Sequence, residues 1–571
     1  MDAMPVQSKS KNETKAVVRI GRAAAEVGCV LLIFAAAGAW PTPDSNEAHY
    51  LTKARHFFNP TWCSGDFFLE TPDAHGVFYW LIGPLAARLP LDIVAWVGRW
   101  IGWLSLAIGF CHAVRPLLTQ TAARLLAAAL FSLALRHSTA AGEWVIGGCE
   151  AKVFAWALLL WALGEIAIGR LSSAWLSLGA ATAVHPIVGG WGGIALLLEA
   201  SVISLSRRSG SVDLRRSLLG ERAMLLAGTA LAAVGIVPAL LLSAGADAET
   251  RAAATVIYVV ERLPHHLLLR TFADGFVARH VLAILLWGAL SALLSLKQKS
   301  LTLAMKEASK KSDPVWARWM GFVAASLVIS LVGCLISLAE PLAPATVYGL
   351  LRFYWFRLAD GLVPLALATT AAAVVTSFKR DAAQAGWRRL ALASLVCLLA
   401  IDSANQSRHW PLLGRTDLTA RSDTKVQAQP WREICKWVRD NTPADACFIT
   451  PRGAASFTWR TGRREVVAWK NMPQDPRSLV IWRARIVDCF SRNGTLVDLE
   501  RSTATLGEDR LRLVADRYGA AYAVVPLDAL ATPAVHSLAE SASAKEPLPL
   551  PFPVLHANSH YAVIQLTREA Q

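Results

Sequence analysis

Residues 23–58 read AAAEVGCVLLIFAAAGAWPTPDSNEAHYLTKARHFF, and the two halves of this stretch suit different solvents. Residues 23–40 carry one charge, Glu26, in a run of Ala, Val, Leu, Ile and Phe. A hydrocarbon core about 30 Å thick takes roughly 20 such residues as a helix, because lipid offers no partner to an unpaired backbone amide. From Pro41 the pattern breaks, and Asp44, Glu47, His49, Lys53 and Arg55 follow in quick succession. The stretch predicts a membrane-crossing helix that emerges into a polar loop.

Working outward, similar apolar runs recur near 92–114, 122–136, 151–169, 172–184, 187–203, 222–243, 280–296, 319–338, 358–377 and 387–401. With the first, they predict about eleven TM helices and a polytopic α-helical membrane bundle over 23–401. Composition agrees, since 54% hydrophobic and 17% charged residues are too apolar for one soluble domain. Segment 77–90, with Arg88 among leucines and alanines, is amphipathic and is expected to lie at the membrane interface or to re-enter it.

The formal charge of +15 lies mostly between the apolar runs, so it reads as membrane orientation and not as nucleic-acid binding. The tail 1–22 is +3, loop 204–222 is +3, loop 297–318 is +4, loop 378–389 is +3, and the long loop 41–76 is −3. Basic loops stay cytoplasmic. The expectation is a multi-pass protein of the inner, cytoplasmic membrane, with a cytoplasmic basic tail and an extracytoplasmic first loop 41–76. A cleaved signal peptide competes for the first run, but cleavage would invert the charge bias of the later loops, so retention is expected.

From residue 402 the pattern changes to short β-type runs (ACFITP, REVVAWK, AYAVVP, YAVIQL) separated by amphipathic stretches at 430–441, 477–491 and 507–518. This predicts a C-terminal soluble α/β domain over 402–571, extracytoplasmic, with an irregular loop at 534–552. Nine Cys residues show neither CxxC nor zinc-like spacing. A Cys435–Cys447 disulfide is sterically open, and the sequence does not establish it.

Ionisable residues at membrane depth or just outside it are costly and mark functional candidates. The first outer loop holds Asp44, Glu47, His49, Asp66, Asp73 and His75; GEWVIGGCEAK follows with Glu143, Glu150 and Lys152; His185 precedes Pro186 between two short helices. Later come YVVERLPHHLLLRTF, with Arg262, His265 and His266, and LLRFYWFRLAD, with Arg352 and Arg357. Each has a plain structural use: a solvated loop carboxylate, a His capping a helix end, an Arg reaching a headgroup. Their shared side of the bundle favours function, with carboxylates early and cations late. A carboxylate suits deprotonation of an acceptor hydroxyl, and Arg or His suits a departing phosphate.

The run NEAHYLTKARHFFNPTW resembles the acidic first-loop motif of the C-type integral membrane glycosyltransferases, which use polyprenyl-phosphate sugars. WREICKWVRDNTPADACFIT is similar to the opening of their terminal domain. The resemblance covers nearly the whole chain in plan and about fifty residues by motif. It implies a bacterial member of that superfamily, with a polyprenyl-phosphate sugar donor, an extracytoplasmic acceptor and the lipid bilayer as partners. It further implies Glu47 as catalytic base, with Asp44 as substitute because Asn46 stands where an Asp would complete the acidic pair. Arg352, Arg357, His265 and His266 would hold the donor phosphate, and His49, Asp66, Glu150, Lys152 and His185 would support the site. A divalent metal is left open as the one cofactor. A transporter or flippase and a non-catalytic, membrane-anchored envelope-binding module are the alternatives; the former predicts mid-membrane polar residues and repeat symmetry, the latter indifference to loss of Glu47.

Overall fold

The computed structural model describes residues 6–206, 221–304, 314–377, 382–412, 414–415, 417–529 and 552–566. Of the basic loops expected at 204–222, 297–318 and 378–389, residues 207–220, 305–313 and 378–381 fall outside these residues, and the irregular loop expected at 534–552 falls almost wholly outside them.

A helix lies over each of the eleven apolar runs. Among the described residues, eight helices are long and apolar enough to cross a membrane, which marks a membrane protein. Two of the remaining three are shorter. Leu171–Val184 has 14 residues and Thr121–His137 has 17; at 1.5 Å per residue, 14 residues reach only about 21 Å. The third, Pro186–Ser206, has 21 residues. At the centre of the bundle stands Arg357–Ser377, whose apolar window is 89% buried, and Gly386–Ser407 lies at the periphery with none of its window buried.

Between the crossings, Glu47–Phe58 and Gly76–Arg88 pack against each other beside the bundle. Gly76–Arg88 leaves Trp80 and Leu81 exposed, which suits the interfacial position expected of 77–90. Both helices belong to the first long loop, and this loop meets the C-terminal domain. Asp66 Oδ2 accepts the Glu465 amide at 3.1 Å, and Arg421 approaches Asp44 at 3.4 Å. The first loop and the terminal domain therefore occupy the same end of the bundle.

The terminal domain is a small mixed sheet of β1 (Cys447–Ile449), β2 (Arg464–Glu465), β3 (Tyr522–Pro526), β4 (Val554–Ala557) and β5 (Tyr561–Gln565), ordered β2-β1-β3-β5-β4. β1 runs parallel to β2 and β3, and β5 is antiparallel to β3 and β4. Four strands and three helices (Ala428–Asn441, Pro476–Phe490, Glu508–Tyr518) fall where the sequence predicts them. β4 escapes prediction because its side chains are largely exposed and it lacks an inward apolar face. Trp431, Ile434 and Val438, one stripe of a helix, are wholly buried against Phe448 and Val524. Cys435 and Cys447 are free thiols.

Candidate functional site

Glu47 opens the helix Glu47–Phe58, and its carboxylate is completely buried. Oε1 accepts Arg99 Nε and the Cys149 amide, each at 2.7 Å. Oε2 accepts Arg99 Nη2 at 2.6 Å and the Asp44 amide at 2.7 Å. A carboxylate offers about four lone-pair sites, so Glu47 is saturated. The approach is so close that a Cβ at Gly148 would stand 2.7 Å from Oε1, which explains a glycine there. Glu47 is thus an anchor joining the first loop to two bundle elements, and its side chain does not line the cavity described below. Asp44 is likewise turned away, its Oδ1 taken by the Ser45 amide and the carboxylate facing Arg421.

The cavity lies between the bundle end and the terminal domain, with a volume near 310 Å³. Five cations line it: Lys152, Arg262, Arg352, Arg357 and Lys470. Glu150 is the one carboxylate on its wall. Tyr50, His49, His75 and His185 are among its other polar residues.

Glu150 is buried, yet it accepts only two short hydrogen bonds, from Asn46 Nδ2 at 2.8 Å and Trp144 Nε1 at 2.9 Å. Half its acceptor capacity is free. Burial raises its pKa above the ordinary carboxylate value, against the opposing pull of Lys152 and the two hydrogen bonds. Lys152 Nζ stands between Glu143 at 3.8 Å and Glu150 at 3.9 Å, over the Trp144 ring. Asn46, an interruption of the acidic pair in the sequence, is here the donor that orients Glu150.

The cations differ in how far they are already neutralised. Arg357 pairs with Glu143 at 2.9 Å and lies over the Tyr354 ring. Asp360 supports this arrangement by accepting the Ala140, Ala141 and Glu143 amides, which fixes the loop that carries Glu143. Arg262, Arg352 and Lys470 have no carboxylate in ion-pair contact among the described residues. Arg262 ends a π-helical turn, Ile257–Arg262, and rests on Trp469. Such turns are frequent at functional sites. Burial lowers Lys470 to about 8, with Arg262 adding to the effect.

Tyr354, in the segment that connects Arg352 to Arg357, has φ of +56°. An aromatic side chain seldom adopts this conformation. It is held by the Tyr258 hydroxyl at 3.0 Å and by the Arg357 guanidinium over its ring, so local strain is invested in presenting the two arginines.

His75 pairs its Nδ1 with Asp73 at 2.7 Å and places Nε2 at 3.4 Å from the Tyr50 hydroxyl. Lys53 and His75 hold Asp73 well below the usual carboxylate range despite its burial. His185 lies beside His75, ring centroids 5.0 Å apart.

The expected site set is therefore divided. Arg352, Arg357, Glu150, Lys152, His185 and His49 converge on the cavity; Glu47, Asp44, Asp66, His265 and His266 do not line it. His266 Nδ1 contacts the Ala141 carbonyl, and burial, then His265, lowers its pKa to about 3, so it supplies no charge. Asp66 caps local backbone and ties the first loop to β2. Arg99, Lys470 and Tyr50 are additions. The invariable need of a buried carboxylate for a partner points to some cation for Glu47, but no spacing rule selects a residue 52 positions away. Among the described residues, no three His, Cys, Asp or Glu side chains gather as a metal site, so the open question of a divalent metal finds no fitting ligand set and no step is routed through one.

A family model described as a domain of unknown function, DUF6798, matches residues 429–489, the opening of the sheet domain. No curated protein matches the chain. Among solved structures, the chain is similar to the archaeal oligosaccharyltransferase AglB from Archaeoglobus fulgidus in complex with an inhibitory peptide and a dolichol-phosphate. Identity is 11% and the TM-score 0.44, over 88% of this chain and 69% of that one. It is also similar to the Archaeoglobus fulgidus oligosaccharyltransferase in complex with Zn and sulfate, at 12% identity and a TM-score of 0.39, over 88% of this chain and 68% of that one. Similarity this distant identifies neither a reaction nor a substrate.

Proposed function

We propose that the protein is a membrane glycosyltransferase that moves a sugar from a polyprenyl-phosphate carrier to an extracytoplasmic acceptor. The observation that carries this reading is the charge of the cavity: five cations face a single carboxylate that has lone pairs to spare. Half-buried cations without carboxylate partners are completed by an anion, and Arg262 and Arg352 offer planar donors suited to phosphate oxygens. One wall of the cavity includes Ala239 and Leu242, beside the exposed Leu240 and Leu241, so the phosphate site adjoins a lipid-facing surface. That is the geometry a lipid-linked phosphate requires.

In the reaction, Glu150 takes the proton of the acceptor hydroxyl, and the acceptor oxygen forms a bond to the anomeric carbon of the sugar. The bond from that carbon to the phosphate oxygen breaks, and its electron pair leaves on the phosphate, where Arg352, Arg357 and Arg262 stabilise it. The role of base thus passes from Glu47 to Glu150, because Glu47 has no free lone pair. Lys152 opposes the rise that burial imposes on the Glu150 pKa, and Asn46 aims the carboxylate.

The test uses full-length protein in lipid nanodiscs with a panel of polyprenyl-phosphate sugars. Glu150→Gln should reduce transfer by about 10²- to 10⁴-fold, the usual worth of a general base, while leaving donor binding nearly intact. Arg352→Ala should chiefly weaken donor binding. Transfer at the wild-type rate by Glu150→Gln removes Glu150 from the chemistry.

A further inference from the structure

The terminal domain contains a second, larger cavity, about 730 Å³ in volume. It opens where the chain leaves the carboxyl ends of β1 and β3, between the segment Thr424–Gln427, the turn Pro451–Gly453, residues Pro526–Asp528 and the β4–β5 turn at Ser559–His560. In open α/β sheets ligands bind at the carboxyl ends of parallel strands, where the following loops diverge. The volume is in the range of sites that enclose a ligand of several rings.

Its lining is specific in charge. Lys425, Arg452 and Arg501 contribute three cations against one carboxylate, Asp528. Arg501 and Asp528 pair at 2.9 Å, and both side chains are mostly exposed. Arg452 is fixed from behind, its Nε bonded to the Glu500 carbonyl at 3.0 Å and its amide to the Arg501 carbonyl at 2.9 Å. Lys425 makes no ion pair among the described residues. Trp469 and Tyr561 also line it; the Tyr561 ring is buried against Trp431, and its hydroxyl accepts from the Gln427 amide at 2.9 Å.

Trp469 also sets the position of this cavity relative to the first. Its ring belongs to the larger cavity, and the next residue, Lys470, lines the cavity that holds Glu150. One peptide unit separates the two walls, and Arg262 braces it through the Trp469 carbonyl and ring.

We infer that the larger cavity binds an acidic oligosaccharide, the acceptor whose hydroxyl is presented to Glu150. The guanidinium and ammonium groups pair with carboxylates on the sugars. Calling this ligand the acceptor rests on the glycosyltransferase reading, whereas its binding does not.

The experiment is calorimetric titration of the purified full-length protein with tetragalacturonate, and with maltotetraose as the neutral control. Tetragalacturonate should bind at least about tenfold more tightly. Lys425→Gln and Arg452→Gln should each weaken it by roughly ten- to a hundredfold, the range of one charge-assisted contact. Lys425 serves as the second variant should Arg452→Gln disturb the fold through its bond to Glu500. Failure to bind tetragalacturonate, equal binding of the two tetramers, or wild-type affinity in Lys425→Gln overturns the inference, and tighter binding of tetraglutamate assigns the cavity to acidic peptides instead. Retained binding in a protein that transfers no sugar would leave this site standing and fell the enzymatic reading alone.

Discussion

Replacing Glu47 by Gln separates an anchoring carboxylate from a catalytic one. The substitution changes shape little but exchanges one oxygen for an NH₂ group. At the Oε1 position that group would face Arg99 Nε and the Cys149 amide; at the Oε2 position it would face Arg99 Nη2 and the Asp44 amide. Either orientation sets a donor against two donors and leaves the buried Arg99 without its counter-charge. Breaking a buried pair costs about 3–5 kcal/mol, and this figure already absorbs much of the donor mismatch. In Glu150→Gln each oxygen carries one of the two short bonds, and Asn46 can turn its amide to meet an NH₂ group. The cost there should be about 1 kcal/mol, one neutral hydrogen bond. Thermal unfolding of the full-length proteins in detergent, followed with a thiol-reactive dye that reports buried cysteines such as Cys149, should show a large fall in midpoint for Glu47→Gln and a small one for Glu150→Gln. Wild-type stability in Glu47→Gln, combined with lost transfer, would refute the saturation argument and return the role of base to Glu47.

Three further outcomes follow from the same geometry. Asn46→Asp brings a second carboxylate to hydrogen-bonding distance of Glu150, which raises the Glu150 pKa and should move the acidic limb of the pH–rate profile upward by about one unit; an unmoved limb would dissociate Asn46 from the base. Lys470 is charged below about 8 and neutral above it, so affinity for undecaprenyl phosphate should fall between pH 7 and 9, and Lys470→Met should flatten that dependence; the same slope in the variant would place the titrating group elsewhere. Val438→Asp puts an unpaired charge among Phe448 and Val524 and should cost several kcal/mol, visible as rapid protease cleavage of the terminal domain; wild-type resistance would show that the helix Ala428–Asn441 is not part of the core.

The sequence by itself determined the partition of the chain into an apolar helical part and a sheet domain, because run length and periodicity report directly on the solvent each segment faces. A helix stands over every predicted apolar run, and the stripe Trp431, Ile434 and Val438 is buried as its spacing requires. It also singled out ionisable residues such as Glu150, Lys152 and Arg357, since their cost within an apolar bundle demands an explanation, and all three line one cavity. Which carboxylate is free and which is consumed was decided by tertiary structure alone. Glu47 and Glu150 are both buried glutamates, and their difference is a count of donors: four reach Glu47, from Arg99, Asp44 and Cys149, and two reach Glu150, from Asn46 and Trp144. Lys470 belongs to the cavity only because the strand β2 ends after Glu465 and the chain turns across the bundle mouth. Such partners come from segments tens to hundreds of residues apart, and hydrogen bonding between them depends on distances that no local pattern encodes.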